Sequence, residues 1–501
     1  MFTSFFLKRP FLPISLSLCT GLCSGLYLSH FSLGLYFLFA SLCCLVLCVV
    51  FLSCSFEGRA AAFYCLFFVF YGMLIITFSL RYPEFDRNQT LVCEFEKFTG
   101  VSKPDSTSKP KAAVSAILLE SGEKRIKERE RALVILDSEK MPDWDFKDIF
   151  VIKGSVSENP DFPFSSYKYR VISSGLLEHR KTGSLFFSIV NKMKKTLVGI
   201  IEEGVPRPGS SVMIGMLTGD RQKIQKDVKY HFLRSGTSHI LAVSGLHVGL
   251  LSGFVFLIFR MLNLERKITG FCLFLGVIWF YIAMTGFSIS SVRAGIMISI
   301  LTGSLVLGRN PDLINILCFS LLLMLMIRPV SLFEPSFQLS FAAMSAIIFY
   351  SRYLMFRRKR VKMELIPGFA YKIKALGGRF AETSIEYFKL SLVIWLFTSP
   401  IVLCRFDTFN MLTPLVNIPV VFLSTLIINA AFVFLPVAAC SSLGVRLFGI
   451  CGIFIKPLLW VADLFSDFAF DIEDIYLKII LLGFIFVCLL IIFLYTENIT
   501  E

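Results

Sequence analysis

At 501 residues, 55% of them hydrophobic and 54 of them Phe, with a mean hydropathy of +0.72, the chain is too apolar for an ordinary soluble domain and reads as a polytopic membrane protein. Its net charge of +14 does not mark a soluble nucleic-acid-binding surface. Residues 81–183 balance to +1, and the other +13 lies among the apolar runs, where basic residues anchor cytoplasmic loops. The lack of a Walker motif argues against an ATP-driven motor. Without C-x-x-C, H-x-H or H-E-x-x-H, neither the 14 Cys nor the 5 His supply a metal site, and no cofactor is expected.

Twelve apolar runs approach the roughly 17–25 residues that span a bilayer. They fall at about 10–30, 32–53, 60–80, 240–260, 268–288, 290–307, 313–328, 336–350, 388–405, 412–438, 447–465 and 475–495. The run at 412–438 reads either as one span or, because of Pro419 and Pro436, as a broken or re-entrant pair. Lys8 and Arg9 before the first run imitate a signal peptide. No small-x-small cleavage site follows before two more spans, so a retained helix is expected. Lys8, Arg9, Arg59, Arg260, Arg266, Lys267 and the cluster from Arg357 to Lys362 fall on one side if the N-terminus is cytoplasmic. For that last cluster, anchoring is the first reading and phosphate contact the second. Residues 81–235 and the acidic stretch Asp467 to Asp474 then lie outside the cytoplasm.

Between the third and fourth spans the pattern changes. Short alternating segments at Leu91–Phe98, Ala113–Leu119, Ala132–Asp137, Ile149–Ser155 and Tyr167–Ser173 predict five half-buried strands, enough for a small OB-like barrel. Glu120 to Arg131 reads as a solvated hairpin or loop. From Leu185 the period becomes helical, with Phe186, Ile189, Val190, Met193, Leu197, Ile200 and Ile201 recurring at helical spacing, which suits a helix lying in the membrane interface or packing on the membrane bundle. A second helical stretch is expected over about 209–233.

The expected organisation is thus mostly α, a polytopic helical inner-membrane protein with an extracytoplasmic OB-like β-barrel insert. Residues 1–80 form an N-terminal transmembrane segment, 81–183 the barrel, 184–233 interfacial helices and 234–501 a second transmembrane domain.

Polar residues then intrude on apolar helices, where each needs protein or water to face. In SGTSHILAVSGLHVGLL, residues 235–251, helical spacing puts Ser244 and His247 on one face, with His239 about two turns before His247. Gly245, Gly249 and Gly253 make a small-residue ridge for close helix packing. TGFSISSVRAGIM places Ser288, Ser290, Ser291 and Arg293 at the mouth of the sixth span. RPVSLFEPSFQLSF brings Gln338 and Ser340, and TPLVNIPV brings Asn417 between Pro414 and Pro419. For His239 an interfacial position is an equal reading, for Arg293 snorkelling is an alternative, and for Gln338 plain interhelical hydrogen bonding is as good an explanation.

These motifs, together with LTGDRQ at 217–222 and LGRNPD at 307–312, occur in the order and spacing of the ComEC-type competence family, which the chain resembles over about 210–465. The N-terminal spans and insert match by architecture alone. The resemblance implies a channel that passes single-stranded DNA from periplasm to cytoplasm in natural transformation, and not an enzyme. His239, Ser244, Gly245, His247, Arg293, Gln338, Ser340 and Asn417 would line it, with Gly249 and Gly253 packing helices. Its implied partners are single-stranded DNA, the lipid bilayer, a periplasmic DNA receptor, a separate nuclease and a cytoplasmic helicase or ATPase. Longer members carry a metallo-β-lactamase-like domain, whose H-x-H-x-D-H motif does not occur here, and the insert's lone Cys93 departs from members with cysteine pairs. Two other readings stay open: an intramembrane serine protease using Ser244 with a histidine, and a small-molecule transporter.

Overall fold

The computed structural model describes residues 11–28, 89–102, 111–121, 124–136, 145–158, 169–181, 184–264, 267–360, 369–406 and 408–471, with a few isolated positions besides. The expected span at 32–53, and nearly all of those at 60–80 and 475–495, lie outside the described residues. The protein is mostly helical, with one small closed β-barrel. Two compact units divide it. The first comprises Met1–Lys195, Trp279–Phe287 and Ser299–Phe337, and the second Thr196–Ile278, Ser288–Ile298 and Gln338–Glu501.

In the first unit, β1 (Gln89–Ser102), β2 (Lys111–Ser121), β3 (Lys124–Leu136), β4 (Ile149–Glu158) and β5 (Tyr169–Arg180) close in the order β1-β2-β3-β5-β4. All pairings are antiparallel except β3 with β5, and β4 returns to β1. That is the OB-like barrel the alternating segments predict. Side chains two apart point inward and fill it: Leu91, Cys93 and Phe95 on β1, Val114, Ala116 and Leu118 on β2, Phe150 and Ile152 on β4. Each large apolar side chain so buried stabilises the fold by roughly 1.5–3 kcal/mol. Of the hairpin or loop expected at 120–131, the structure shows the hairpin, with Glu120 and Ser121 closing β2 and residues 124–131 opening β3. Its register, Glu120↔Arg125 and Ser121↔Lys124, carries the β2–β3 pairing to the facing ends of both strands.

The turn from Asp145 to Asp148 fastens this barrel to its neighbours. Lys147 takes a left-handed φ of 71°, which is uncommon for a residue with a side chain. The Phe95 N–H donates to the Asp148 carbonyl at 2.7 Å, and the Lys147 N–H to the Phe95 carbonyl at 2.9 Å. Lys147 is also ion-paired with Glu94, and buried Asp148 meets His179 of β5 at 3.0 Å. From α2 (Leu185–Gly204), Asn191 donates to the Phe146 carbonyl at 2.9 Å and Lys195 pairs with Asp145 at 2.8 Å. In the same unit α1 (Phe11–Leu28) packs on α8 (Leu313–Ile327), where Ser15 donates to the Cys318 carbonyl at 2.8 Å.

In the second unit, the expected single helix over 209–233 is two. α3 (Gly209–Thr218) is buried along its whole length and ends at Gly219, whose left-handed φ of 78° a residue with a Cβ rarely adopts. α4 (Lys226–Arg234) follows. Next along the chain come α5 (Gly245–Met261), α6 (Ile268–Met284), α7 (Ile289–Val306), then α8 of the first unit, α9 (Pro335–Arg360), α10 (Phe369–Arg405) and α11 (Thr413–Cys440), with Trp279–Phe287 and Ser299–Phe337 counted in the first unit. α11 is one continuous helix, which settles the alternatives at 412–438. Pro414 sits in its first turn, where a missing N–H costs nothing, while Pro419 and Pro436 lie inside the helix and remove a backbone donor each without ending it. The run at 447–465 is instead broken, into α12 (Ser442–Phe448) and α13 (Cys451–Leu464). Gly204 and Gly449 meet closely at that break: a Cβ on Gly449 would lie 2.9 Å from the Gly204 carbonyl oxygen.

Among the described residues, four segments are long and apolar enough to cross a membrane: Ile289–Val306, Ser384–Arg405, Thr413–Ala438 and Gly444–Phe468. α5 and α6 have 17 residues each and α8 has 15. At 1.5 Å per residue these reach only about 22–26 Å, short of the roughly 30 Å hydrocarbon layer.

Candidate functional site: helix starts around Arg293

The stretch before α5 does not continue that helix. Ser238–Leu241 form a 3-10 turn, Ala242 is extended, and Ser244 takes φ −106° and ψ 168° as the residue that caps α5. The expected arrangement of His239, Ser244 and His247 on one helix face is therefore corrected. His239 lies in the 3-10 turn, exposed. Ser244 and His247 instead make a capping box. The Ser244 N–H donates to His247 Nδ1 at 3.3 Å, and the reciprocal contact of the Ser244 hydroxyl is the looser half.

Because Nδ1 accepts, a neutral His247 carries its proton on Nε2. His247 is 1% exposed, and that Nε2 has no hydrogen-bond partner of ordinary geometry, its one backbone attraction being to Met216. A buried donor left this way costs about 1–3 kcal/mol until something accepts from it.

The start of α7 comes to the start of α5. The Ser290 hydroxyl oxygen accepts from the Gly245 N–H at 3.1 Å and from the Ser340 hydroxyl at 3.2 Å. Ser288 and Ser291 share a hydrogen bond of 2.6 Å. The Ser288 oxygen also accepts from the Ser291 N–H at 3.3 Å, which caps α7. Arg293, one turn further on, is 6% exposed. It donates through Nη1 to the Ser340 carbonyl of α9 and lies 5.9 Å from the Phe341 ring centroid, while its Nε is buried with no partner. Its Nη2 fills the space a side chain at residue 245 would need, since a Cβ there would stand 2.6 Å away. The small-residue requirement on the glycine ridge is thus at Gly245. No described residue comes within 4 Å of a Cβ placed on Gly249 or Gly253.

Of the other sequence candidates, Gln338 is half-buried on α9. Asn417 is half-buried on α11, which packs on α5, and its Oδ1 is buried without a partner. Motif reading brings together Ser244, Gly245, His247, Ser290, Arg293 and Ser340, and the second unit holds them as neighbours along α5, α7 and α9.

Sequence reasoning misses a clasp elsewhere in the same unit. β6 (Thr408–Asn410) pairs with β7 (Ala469–Asp471). Buried Asn410 donates to the carbonyls of Arg234 and Phe465, both at 3.0 Å. Arg234 forms a two-pronged pair with Asp471 at 2.9 and 3.0 Å, and His231 reaches Ser466 and Asp463 at 3.2 Å each. A groove of about 270 Å³ beside it is lined by Val228, His231, Phe232, Trp460 and Asp463 among others. Partners separated by 55 to 237 positions leave no local signal. Among the described residues, no group of three or more His, Cys, Asp or Glu is placed to hold a metal ion.

Residues 216–497, more than half of the chain, match the family model described as Competence protein. The chain belongs to that family. Two relatives align with part of it: ComE operon protein 3 of Bacillus subtilis strain 168, 32% identical over 163 residues, and the protein YcaI of Escherichia coli K12, 31% identical over 158 residues. These alignments take in 32% and 29% of the chain, and it spans about a fifth of the length of each relative, 21% and 20%. No solved structure matches it. The family region contains every site residue named above from Met216 to Asn417, and the barrel lies outside it. Family and apolar helices together make this a membrane protein.

Proposed function

We propose that this protein is the conduit that carries single-stranded DNA from periplasm to cytoplasm in natural transformation. Membership of the competence protein family supports a role in DNA uptake. The observation that carries the channel reading is the concentration of unpaired polar groups within apolar helices: His247 Nε2, Arg293 Nε and Asn417 Oδ1. Groups so placed are costly against lipid and suit a path that is wet when open. On this reading Ser244, His247, Arg293, Gln338, Ser340 and Asn417 border the path, and His239 stands at its entrance.

The protein would lie in the inner membrane with its N-terminus cytoplasmic and residues 81–235 periplasmic. Residues 1–80 and 234–501 would be its transmembrane parts, 81–183 a receiving domain for the strand and 184–233 the interfacial connection. A periplasmic receptor, a separate nuclease and a cytoplasmic helicase or ATPase would complete the pathway.

The serine-protease reading needs the Ser244 hydroxyl against an imidazole nitrogen. His247 Nδ1 is occupied by the Ser244 backbone N–H, so the geometry favours a cap over a catalytic pair. The test is a deletion strain supplied with fluorescent DNA: label should accumulate in the periplasm and stay out of the cytoplasm, and normal cytoplasmic entry rejects the reading.

A further inference from the structure

The guanidinium of Arg293 is a buried cation with no counterion among the described residues. No carboxylate among the described residues pairs with it, and its one acceptor is the Ser340 carbonyl. Retaining a charge in such surroundings is expensive, and the cost is met only when an opposite charge arrives. Two helix starts add to the positive field. Arg293 lies in the second turn of α7, and its Nη2 abuts Gly245, the first residue of α5. Each helix start carries partial positive charge, so the cation sits where a dipole disfavours it and favours an anion. The nearby polar groups Ser290 and Ser340 are hydroxyls, able to donate to an oxyanion once they turn from each other. The Phe341 ring centroid lies 5.9 Å from the guanidinium carbon, and Nε is the donor without a partner that an arriving oxyanion can take up.

We propose that Arg293, with the first turn of α5 and the hydroxyls of Ser290 and Ser340, forms a phosphodiester-binding site that holds one backbone phosphate of a passing single strand. The inference rests on the DNA-conduit reading and adds the group that pairs with Arg293. Gly245 is glycine because the guanidinium needs the volume a methyl group would take. The site engages one phosphate at a time and reads no base, as a conduit indifferent to sequence requires.

The test uses the full chain in phosphatidylcholine nanodiscs, a fluorescent oligothymidylate with either a phosphodiester or an uncharged methylphosphonate backbone, and inorganic phosphate. Wild type should bind the phosphodiester strand more tightly than the methylphosphonate one, and phosphate should raise its melting temperature. Arg293→Gln should weaken phosphodiester binding roughly tenfold, lower the slope of log affinity against log salt by about 0.7, and abolish the response to phosphate. Arg293→Lys should keep the slope and lose part of the affinity, and it carries the comparison if the glutamine variant does not accumulate.

Equal binding of both backbones by wild type, or affinity and slope unchanged in both variants, overturns the proposal even where DNA passage is intact. Stabilisation by phosphate that depends on Arg293, with no strand binding at all, overturns the phosphodiester assignment and marks the site as one for a free anion. Loss of the phosphodiester preference in nanodiscs containing phosphatidylglycerol, with that lipid retained by wild type and released by Arg293→Gln, makes a headgroup the occupant and overturns the nucleic-acid assignment.

Discussion

His247 changes meaning between sequence and structure. As a letter three places after Ser244 it suggests two side chains facing a common cavity. In the fold its Nδ1 is spent on the Ser244 backbone N–H, which leaves Nε2–H as the buried, unpaired donor. Removing the ring should therefore register as a lost cap. His247→Ala should lower stability by about 1 kcal/mol, read as a fall in the melting temperature of the detergent-solubilised chain. Ser244→Ala keeps the backbone N–H and should change it by less than about half of that. Cys93 presents the opposite case, a side chain with nothing left to do but pack. Burial pushes its thiol far above the ordinary range, so the reactive thiolate is missing at any pH the fold tolerates. A maleimide should leave Cys93 unlabelled in the native protein at pH 8 and label it after denaturation; rapid native labelling would contradict the barrel core.

At the level of elements, apolar alternation found all five strands, because an inward side chain every second residue is what a closed barrel requires. At 120–131, where the charge run allows a hairpin or a loop, the β2–β3 pairing continues as a hairpin arm, and backbone register alone selects between the two. Helical period found α2 and α5 to α11. It misjudged their ends at Gly219, Ser244 and Gly449, where a left-handed glycine, a cap and a close backbone approach decide the boundary. The β6–β7 clasp has no local signal and yields the sharpest element-scale expectation. Asn410→Ala strips the donor from two backbone carbonyls, and should cost about 2 kcal/mol, with proteolysis near 465–471 as the readout. The Arg234–Asp471 pair is half exposed on its acidic side, and a double-mutant cycle should give a coupling below about 1 kcal/mol.

For the whole molecule, the clasp carries topological information. Residues of α4 bond to residues 466–471, so these two segments share one side of the second unit, as the count of basic loops expects. Cysteines introduced at Asp227 and Asp467 should react together with a membrane-impermeant reagent from the periplasm, and neither from the cytoplasm. Labelling from opposite sides would overturn the proposed topology. The short α5, α6 and α8 fit a membrane domain whose helices need not each span the bilayer, since several of their ends are capped or paired inside protein.

The order of apolar runs, the alternating insert and the competence motifs are properties of neighbouring residues, and composition and periodicity carry them, so the sequence by itself determined a helical membrane protein with a small barrel and its family. Where each polar intrusion points was decided only in three dimensions. Arg293 is orphaned because Gly245 and Ser340, 48 and 47 positions away, supply space and a carbonyl but no carboxylate. A charge is paired or unpaired through its surroundings, and those surroundings come from three helices that the chain joins only by folding.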